Sequence, residues 1–263
     1  METIDLQIAD GVATILLNRP ETLNAWNRQF GDDLLEAVRR VAADDAVRAV
    51  CVRGAGRAFS SGADLRDLTG QQLTPEGHPD VRTRLHETYH PIIVGVRRMP
   101  KPVVAAVHGP AVGIGCSLAL ACDLIVASES AYFMLAFVNI GLVPDGGSSV
   151  LVPTRAGMAR AMEMAMLGER VPAARALEWG LVNRVVADDA FDDTVRTLTA
   201  RLAAGPTRSY AGTKRQLNQW LYAGMDEQLE LEADIQQEMA GTGDFAEGVT
   251  AFIQKRSAGF RGA

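Results

Sequence analysis

Apolar and polar positions along the chain follow two different periods. Thr3–Ile8 and Val12–Leu17 alternate with the two-residue period of strands, and Asp10-Gly11 between them is the signal of a type I′ hairpin. Phe30, Leu34, Leu35, Val38 and Val41 recur at helical spacing, which predicts an amphipathic helix from Asn24 to about Ala43. Val47–Val52, running out at Gly54, is apolar apart from Arg48, and Val103–Val107 and Leu124–Ala127 are unbroken apolar stretches. Such runs suit strands covered on both faces. Gly-rich turns separate them at 54–56, 61–63, 113–115 and 145–147. Strand, turn and helix therefore recur, though without a strict sequence period.

Near residue 150 the pattern becomes almost entirely helical. Pro172 opens a short helix that Gly180 closes, and Pro206 opens another running to about Tyr222. Asp226–Ala240 and Asp244–Ser257 complete the series. The expectation is an α/β core over residues 1–200, followed by a helical C-terminal region, 201–263, for oligomerisation or as a lid. Residues 67–80 carry no periodicity and read as a mobile loop over a pocket.

Charge narrows the class. Lys and Arg total 26 against 32 Asp and Glu, a net charge of −6, which argues against a general nucleic-acid or membrane-surface binder. A few arginines and backbone N–H groups can still hold a small anion. Cys51, Cys116 and Cys122 are odd in number and lie in apolar stretches without a C-x-x-C pair, so they read as buried thiols in a reducing compartment. The acidic start METIDLQIADG is unlike a signal peptide. The most apolar stretch, Ala111–Ala127, is broken by Ser117 and Asp123 and is too short for a membrane span. A cytoplasmic protein is expected.

Several turns admit two readings. Phe59-Ser60-Ser61-Gly62-Ala63-Asp64-Leu65 is either a turn with Asp64 capping a helix or a small-residue turn presenting N–H groups to a ligand. His108 to Ser117 leads from a strand into an apolar helix, whose positive end suits an oxyanion. It fails as a dinucleotide fingerprint, because Leu118 stands where the third Gly is needed. In Leu142-Val143-Pro144-Asp145-Gly146-Gly147 a single acid sits among apolar residues and glycines. Asp145 is either a cap or Asx-turn for the next helix, or a desolvated carboxylate with a raised pKa that serves as a base. His86-Glu87-Thr88-Tyr89-His90 matches H-E-x-x-H, but Pro91 should disturb that helix and no third zinc ligand is evident; no metal site is expected. There is no G-x-S-x-G elbow and no P-loop.

Taken together and in order, these turns resemble the enoyl-CoA hydratase/isomerase (crotonase) superfamily. The resemblance spans nearly the whole chain. It includes Leu17-Asn18-Arg19-Pro20 through Leu23-Asn24-Ala25, the 59–65 turn, Lys101–Val107, Gly109–Asp123 and Phe245–Arg256. It implies a crotonase-like spiral of ββα units with a helical C-terminal region, assembled as a homotrimer or dimer of trimers. It implies an acyl-CoA thioester substrate, with CoA part of the substrate and no separate cofactor. By similarity, the N–H groups of Ala63 and Ile114 form an oxyanion hole, Gly113 precedes the second donor, and Ser61, Asp64 and Leu65 border the adenine and pantetheine. Leu23 lies across from them, Arg57 and Arg66 offset the acidity near the CoA phosphates, and Phe252 and Lys255 reach a neighbour's CoA.

The departures from the family pattern bear on the reaction. A typical hydratase holds water with two glutamates, and the matching positions here are Ser117 and Phe137. Neither does acid–base work at neutral pH. Asp145 remains, in a setting most like the phenylacetate-pathway isomerases, which shift Δ3 to Δ2 double bonds or convert a ring epoxide to an oxepin. One base suffices for a 1,3-proton shift, and an apolar Phe137 would exclude water. The alternatives are residual hydratase activity, a non-catalytic acyl-CoA-binding protein, and a CoA dehalogenase with Asp145 as nucleophile. The last also wants a Trp in an aryl pocket, whereas Trp26, Trp179 and Trp220 lie elsewhere in the sequence.

Overall fold

Strands β1 (Ile4–Ala9) and β2 (Val12–Leu17) pair antiparallel, and the residues joining them, Asp10 and Gly11, both have positive φ, as a type I′ turn requires. The computed structural model describes residues 1–66 and 72–263. Helix α1 spans Arg28–Ala43 and starts four residues later than the apolar spacing predicts. Asn24 is the reason. It is fully buried with φ 56°, and its amide donates to the carbonyls of Ala55, Ala58 and Phe59. Residues 24–27 are thereby spent on a tight turn, and Asn27 caps the helix by accepting the Phe30 N–H at 2.9 Å. The buried face of α1 holds Phe30, Leu34, Leu35, Val38 and Val41, each worth roughly 1.5–3 kcal/mol on leaving water.

The chain continues through β3 (Ala49–Gly54), α2 (Val81–Arg84), a wide π turn at Leu85–Tyr89 and α3 (His90–Arg98). Pro91 does not end this helical run. The N–H of His90 reaches back five residues to the Leu85 carbonyl, and this wide turn accommodates a proline that has no N–H to give. Of the expected loop at 67–80, residues 67–71 lie outside the described residues. Leu73 and Pro79 form an antiparallel bridge, so the remainder is a small hairpin-like turn.

Then follow β4 (Val103–Val107), β5 (Pro110–Val112), α4 (Ile114–Ala121), β6 (Leu124–Ser128) and β7 (Tyr132–Met134). Helices α5 (Ser148–Ala156) and α6 (Met158–Leu167) lead to β8 (Val171–Pro172), α7 (Ala173–Glu178) and β9 (Arg184–Val186). The chain closes with α8 (Phe191–Ala204), α9 (Thr207–Leu221), α10 (Met225–Ala240) and α11 (Gly243–Gln254).

Six strands form one sheet in the order β1-β2-β3-β4-β6-β9, parallel except for the first hairpin, and β5-β7-β8 form a second, smaller sheet. A strand of the large sheet is followed by a short strand of the second layer and then by a helix, as in β4–β5–α4 and β6–β7–α5. This is the expected ββα unit. The large sheet is covered on both faces. Val103, Ala105 and Val107 join the main core, while Val104, Ala106, Val126 and Cys51 pack under Phe191, Val195 and Leu198 of α8. That two-sided burial explains the unbroken apolar runs. The three thiols are free and buried, and burial pushes each up to about 12.

Candidate active site

Two turns are laced together at the base of a cavity of about 660 Å³. Ser60 and Ala111 pair as a parallel bridge, with the Ser60 N–H on the Pro110 carbonyl at 3.0 Å and the Val112 N–H on the Ser60 carbonyl at 2.9 Å. Ala63 and Ile114 each lie three residues past that bridge, so the register delivers them side by side. Gly62 (φ 92°) and Gly113 (φ 54°) make the close approach possible. A Cβ on Gly62 would stand 2.9 Å from the Val112 oxygen and 3.7 Å from the Gly113 Cα. The Gly113 N–H is tied to Met134 of β7 at 2.9 Å, which sets the direction of the following residue. Ile114 opens α4, so its N–H has no carbonyl one turn back to bond. Behind the pair, Ser60 Oγ accepts from the Trp26 indole at 3.1 Å and donates to the Asn24 carbonyl at 2.9 Å, fixing the first turn from beneath.

Asp145 lines the same cavity and is 6% exposed. Its Oδ2 accepts from Gln236 Nε2 at 2.8 Å, whereas Oδ1 is buried without a partner. Burial pushes its pKa up to about 7, with the neighbouring Glu232 adding to the rise and the Gln236 bond opposing it. The helix cap belongs to another residue. Glu232, on α10, accepts the N–H of Gly147 at 2.8 Å and that of Ser149 at 3.1 Å, and also bonds the Ser149 hydroxyl. Of the two roles the sequence allows Asp145, capping by its side chain is therefore already taken. Glu232 is itself pushed up to about 7 by burial.

The cavity also brings together Leu23, Ser61, Asp64, Leu65, Arg66, Arg57, Gly113, Phe137 and Phe252. Asp64 is paired with Arg19 at 3.1 Å. Phe252 belongs to this chain's own cavity: α11 packs on the turn at 136–140, where a Cβ on Gly248 would stand 2.6 Å from Ile140 Cα. Lys255 ends α11 in a left-handed conformation and is exposed; it is not among the residues lining this cavity. Ser117 is buried and donates to the Asp145 carbonyl at 2.9 Å, so it supports the loop without reaching the cavity. Phe137 is part of the wall.

Further contributors come from the helical run at 85–90 and from the segment 132–140. Tyr89 lines the cavity, packs edge-on to Trp26 at 5.2 Å, and is pushed up to about 12 by burial. Tyr132, Met134 and Ile140 also line the cavity. Gln236 and Glu232 stand behind Asp145, 91 and 87 residues further along the chain, at a separation no local pattern reveals. The H-E-x-x-H residues face elsewhere. His86 approaches Glu230 at 3.4 Å, and His90 is buried and pushed down to about 4. Among the described residues, no group of three or more His, Cys, Asp or Glu is placed to hold a metal ion, and no helix is long and apolar enough to cross a membrane.

A two-layer ββα core with paired backbone donors over an acyl-sized cavity defines a class of thioester-binding proteins. The chain belongs to the enoyl-CoA hydratase/isomerase family, whose model matches residues 7–263, and whose members act on acyl-CoA thioesters. It is 40% identical to 1,2-epoxyphenylacetyl-CoA isomerase of Escherichia coli K12 over 262 residues, covering 100% of this chain and 99% of that protein. It is 41% identical to a probable enoyl-CoA hydratase of Rhodobacter capsulatus over 260 residues, covering 99% and 98%. A solved enoyl-CoA hydratase of Mycobacterium avium subsp. paratuberculosis K-10 superposes with TM-score 0.89 at 40% identity, covering 98% of each chain. The likeness confirms the crotonase fold.

Proposed function

We propose that this enzyme isomerises acyl-CoA thioesters, moving a double bond from the 3 to the 2 position or rearranging a ring epoxide, with Asp145 as its one proton carrier. The observation that supports this reading is the unpartnered Oδ1 of Asp145, buried at the cavity wall, in a site whose two hydratase glutamate positions hold Ser117 and Phe137.

In the double-bond shift, Asp145 takes a proton from the carbon next to the thioester. The electron pair left behind delocalises onto the thioester oxygen, giving a dienolate. The N–H groups of Ala63 and Ile114 stabilise that oxygen, each by about 3 kcal/mol in comparable acyl-transfer sites. The protonated Asp145 then returns the proton two carbons away, and the double bond comes to rest in conjugation. Proton transfer needs no separate cofactor, because CoA arrives as part of the substrate. A carboxyl poised near 7 is suited to both taking and returning a proton at neutral pH. Phe137, Met134 and the ring of Tyr89 line the cavity with largely apolar surface, and Phe137 offers no group to hold a water where a hydratase has a glutamate.

The test is a direct comparison on purified protein. 3-Enoyl-CoA and 2-enoyl-CoA are supplied separately, and double-bond shift and hydration are followed by product analysis. Faster shift than hydration is expected, and hydration as the dominant reaction overturns the proposal.

The homotrimer or dimer of trimers stands as a proposal too. Met158, Met162 and Met166 form an exposed row on one face of α6, at 67%, 44% and 62% exposure, and such a row suits contact with another copy. Light scattering should give three or six copies, and a monomer would contradict it.

A further inference from the structure

We infer that Gln236 is the positioning residue of this site: its side-chain amide holds the Asp145 carboxylate in one orientation, with Oδ1 alone turned to the acyl cavity. The inference rests on the proposed role of Asp145 and adds a residue outside the cavity wall, on a helix of the C-terminal region.

The geometry is that of a two-point clamp. Gln236 is 2% exposed and sits on α10, one turn beyond Glu232. Its Oε1 accepts the N–H of Val143 at 3.1 Å, and its Nε2 donates to Asp145 Oδ2 at 2.8 Å. The first bond settles the second. An amide oxygen committed to an N–H donor leaves only the NH₂ to face the carboxylate. One side chain thus grips both the backbone and the acid of the same short loop. The other side-chain bonds to Asp145 bear on its carbonyl, from the hydroxyls of Ser117 at 2.9 Å and Ser148 at 2.8 Å. They fix the main chain and leave the carboxylate free to rotate. Gln236 removes that freedom.

The clamp also bears on the proton. A hydrogen bond given to Oδ2 favours the carboxylate over the acid. The other titratable groups near Asp145 act in the opposite sense or stay neutral. Glu232 on α10 repels the charge, and Tyr89 at the end of the π turn keeps its proton across the neutral range. Among the described residues, Gln236 is therefore the donor that offsets burial and Glu232. Without it the acid would hold its proton more tightly, and fewer molecules would carry a base at neutral pH.

Two variants separate positioning from simple packing. Gln236→Met fills similar space and removes both bonds. Gln236→Glu keeps an oxygen for the Val143 N–H and replaces the amide donor with a second acid. The primary readout is the titration of Asp145 in ligand-free protein, followed by carbon NMR of labelled aspartate and assigned with Asp145→Asn. The second is the pH profile of kcat and KM for the double-bond shift. In both variants the Asp145 midpoint should rise by about one unit, and kcat at neutral pH should fall about tenfold with little change in KM. In the unsubstituted protein the Gln236 NH₂ resonances should move with the Asp145 titration, a readout that needs no variant to fold. An unmoved midpoint and pH profile in a folded variant, or Gln236 resonances blind to that titration, overturns the inference. If Asp145→Asn keeps its turnover, the proposed base is wrong, while the NMR midpoints still test the clamp.

Discussion

Glu232 accepts the N–H of Gly147 at 2.8 Å, and so caps the helix that begins three residues after Asp145. The capping need is met from α10, and the Asp145 side chain is left for the cavity. The two buried acids stand close enough for Glu232 to raise the pKa of Asp145, yet they do different work. One satisfies backbone donors; the other keeps an oxygen unpartnered.

The division of labour predicts different outcomes for two substitutions at 232. Glu232→Ala should destabilise the fold by about 1–3 kcal/mol, because the N–H groups of Gly147 and Ser149 lose their acceptor in a buried place. Glu232→Gln keeps one acceptor and removes the charge. The midpoint of Asp145 should then fall, and the acid limb of the activity profile should move down in pH. Thermal melts and the pH dependence of kcat give these two results.

Stability should depend on pH with a definite sign. Both acids have pKa values raised by burial, from 3.8 to about 7 for Asp145 and from 4.5 to about 7 for Glu232. Groups raised in the folded state contribute stability that is complete below their unfolded pKa and is lost as pH climbs through the folded one. Their contribution is therefore present near pH 4 and gone above about pH 7. Asp145→Asn should remove half of this trend and stabilise the protein at pH 8 by about 2–4 kcal/mol. Denaturant melts at pH 5 and pH 8 measure it.

The oxyanion donors depend on two glycines. Gly113→Ala forces a side chain into φ 54°, ψ −128°, and Gly62→Ala places a Cβ 2.9 Å from the Val112 oxygen. Either should misalign a donor and lower kcat by about 10²-fold, the loss seen when one such donor is removed elsewhere. KM should change far less, since the cavity walls remain. Steady-state kinetics with a 3-enoyl-CoA decide the matter.

Much of this was legible in local pattern. The hairpin at Asp10-Gly11 and the strands at 49–54, 103–107 and 124–128 follow from turn chemistry and two-sided burial. The positions of Ala63 and Ile114 came from likeness to a family, and the Ser60–Ala111 bridge supplies their physical basis. Other features were hidden because they depend on distant partners. Asn24 reads as helix in sequence, yet its amide serves three carbonyls more than thirty residues away. Pro91 reads as a breaker, yet a five-residue turn makes room for it. The sequence around Asp145 could not show that Glu232 would take the cap or that Gln236 would hold the acid.

Asp145→Asn provides the most direct measurement. Turnover of 3-enoyl-CoA by this variant should fall by at least about 10²-fold while binding of the CoA thioester is retained, because the asparagine fills the same space and cannot carry the proton. Unchanged turnover in the folded variant would contradict a mechanism built on this one acid.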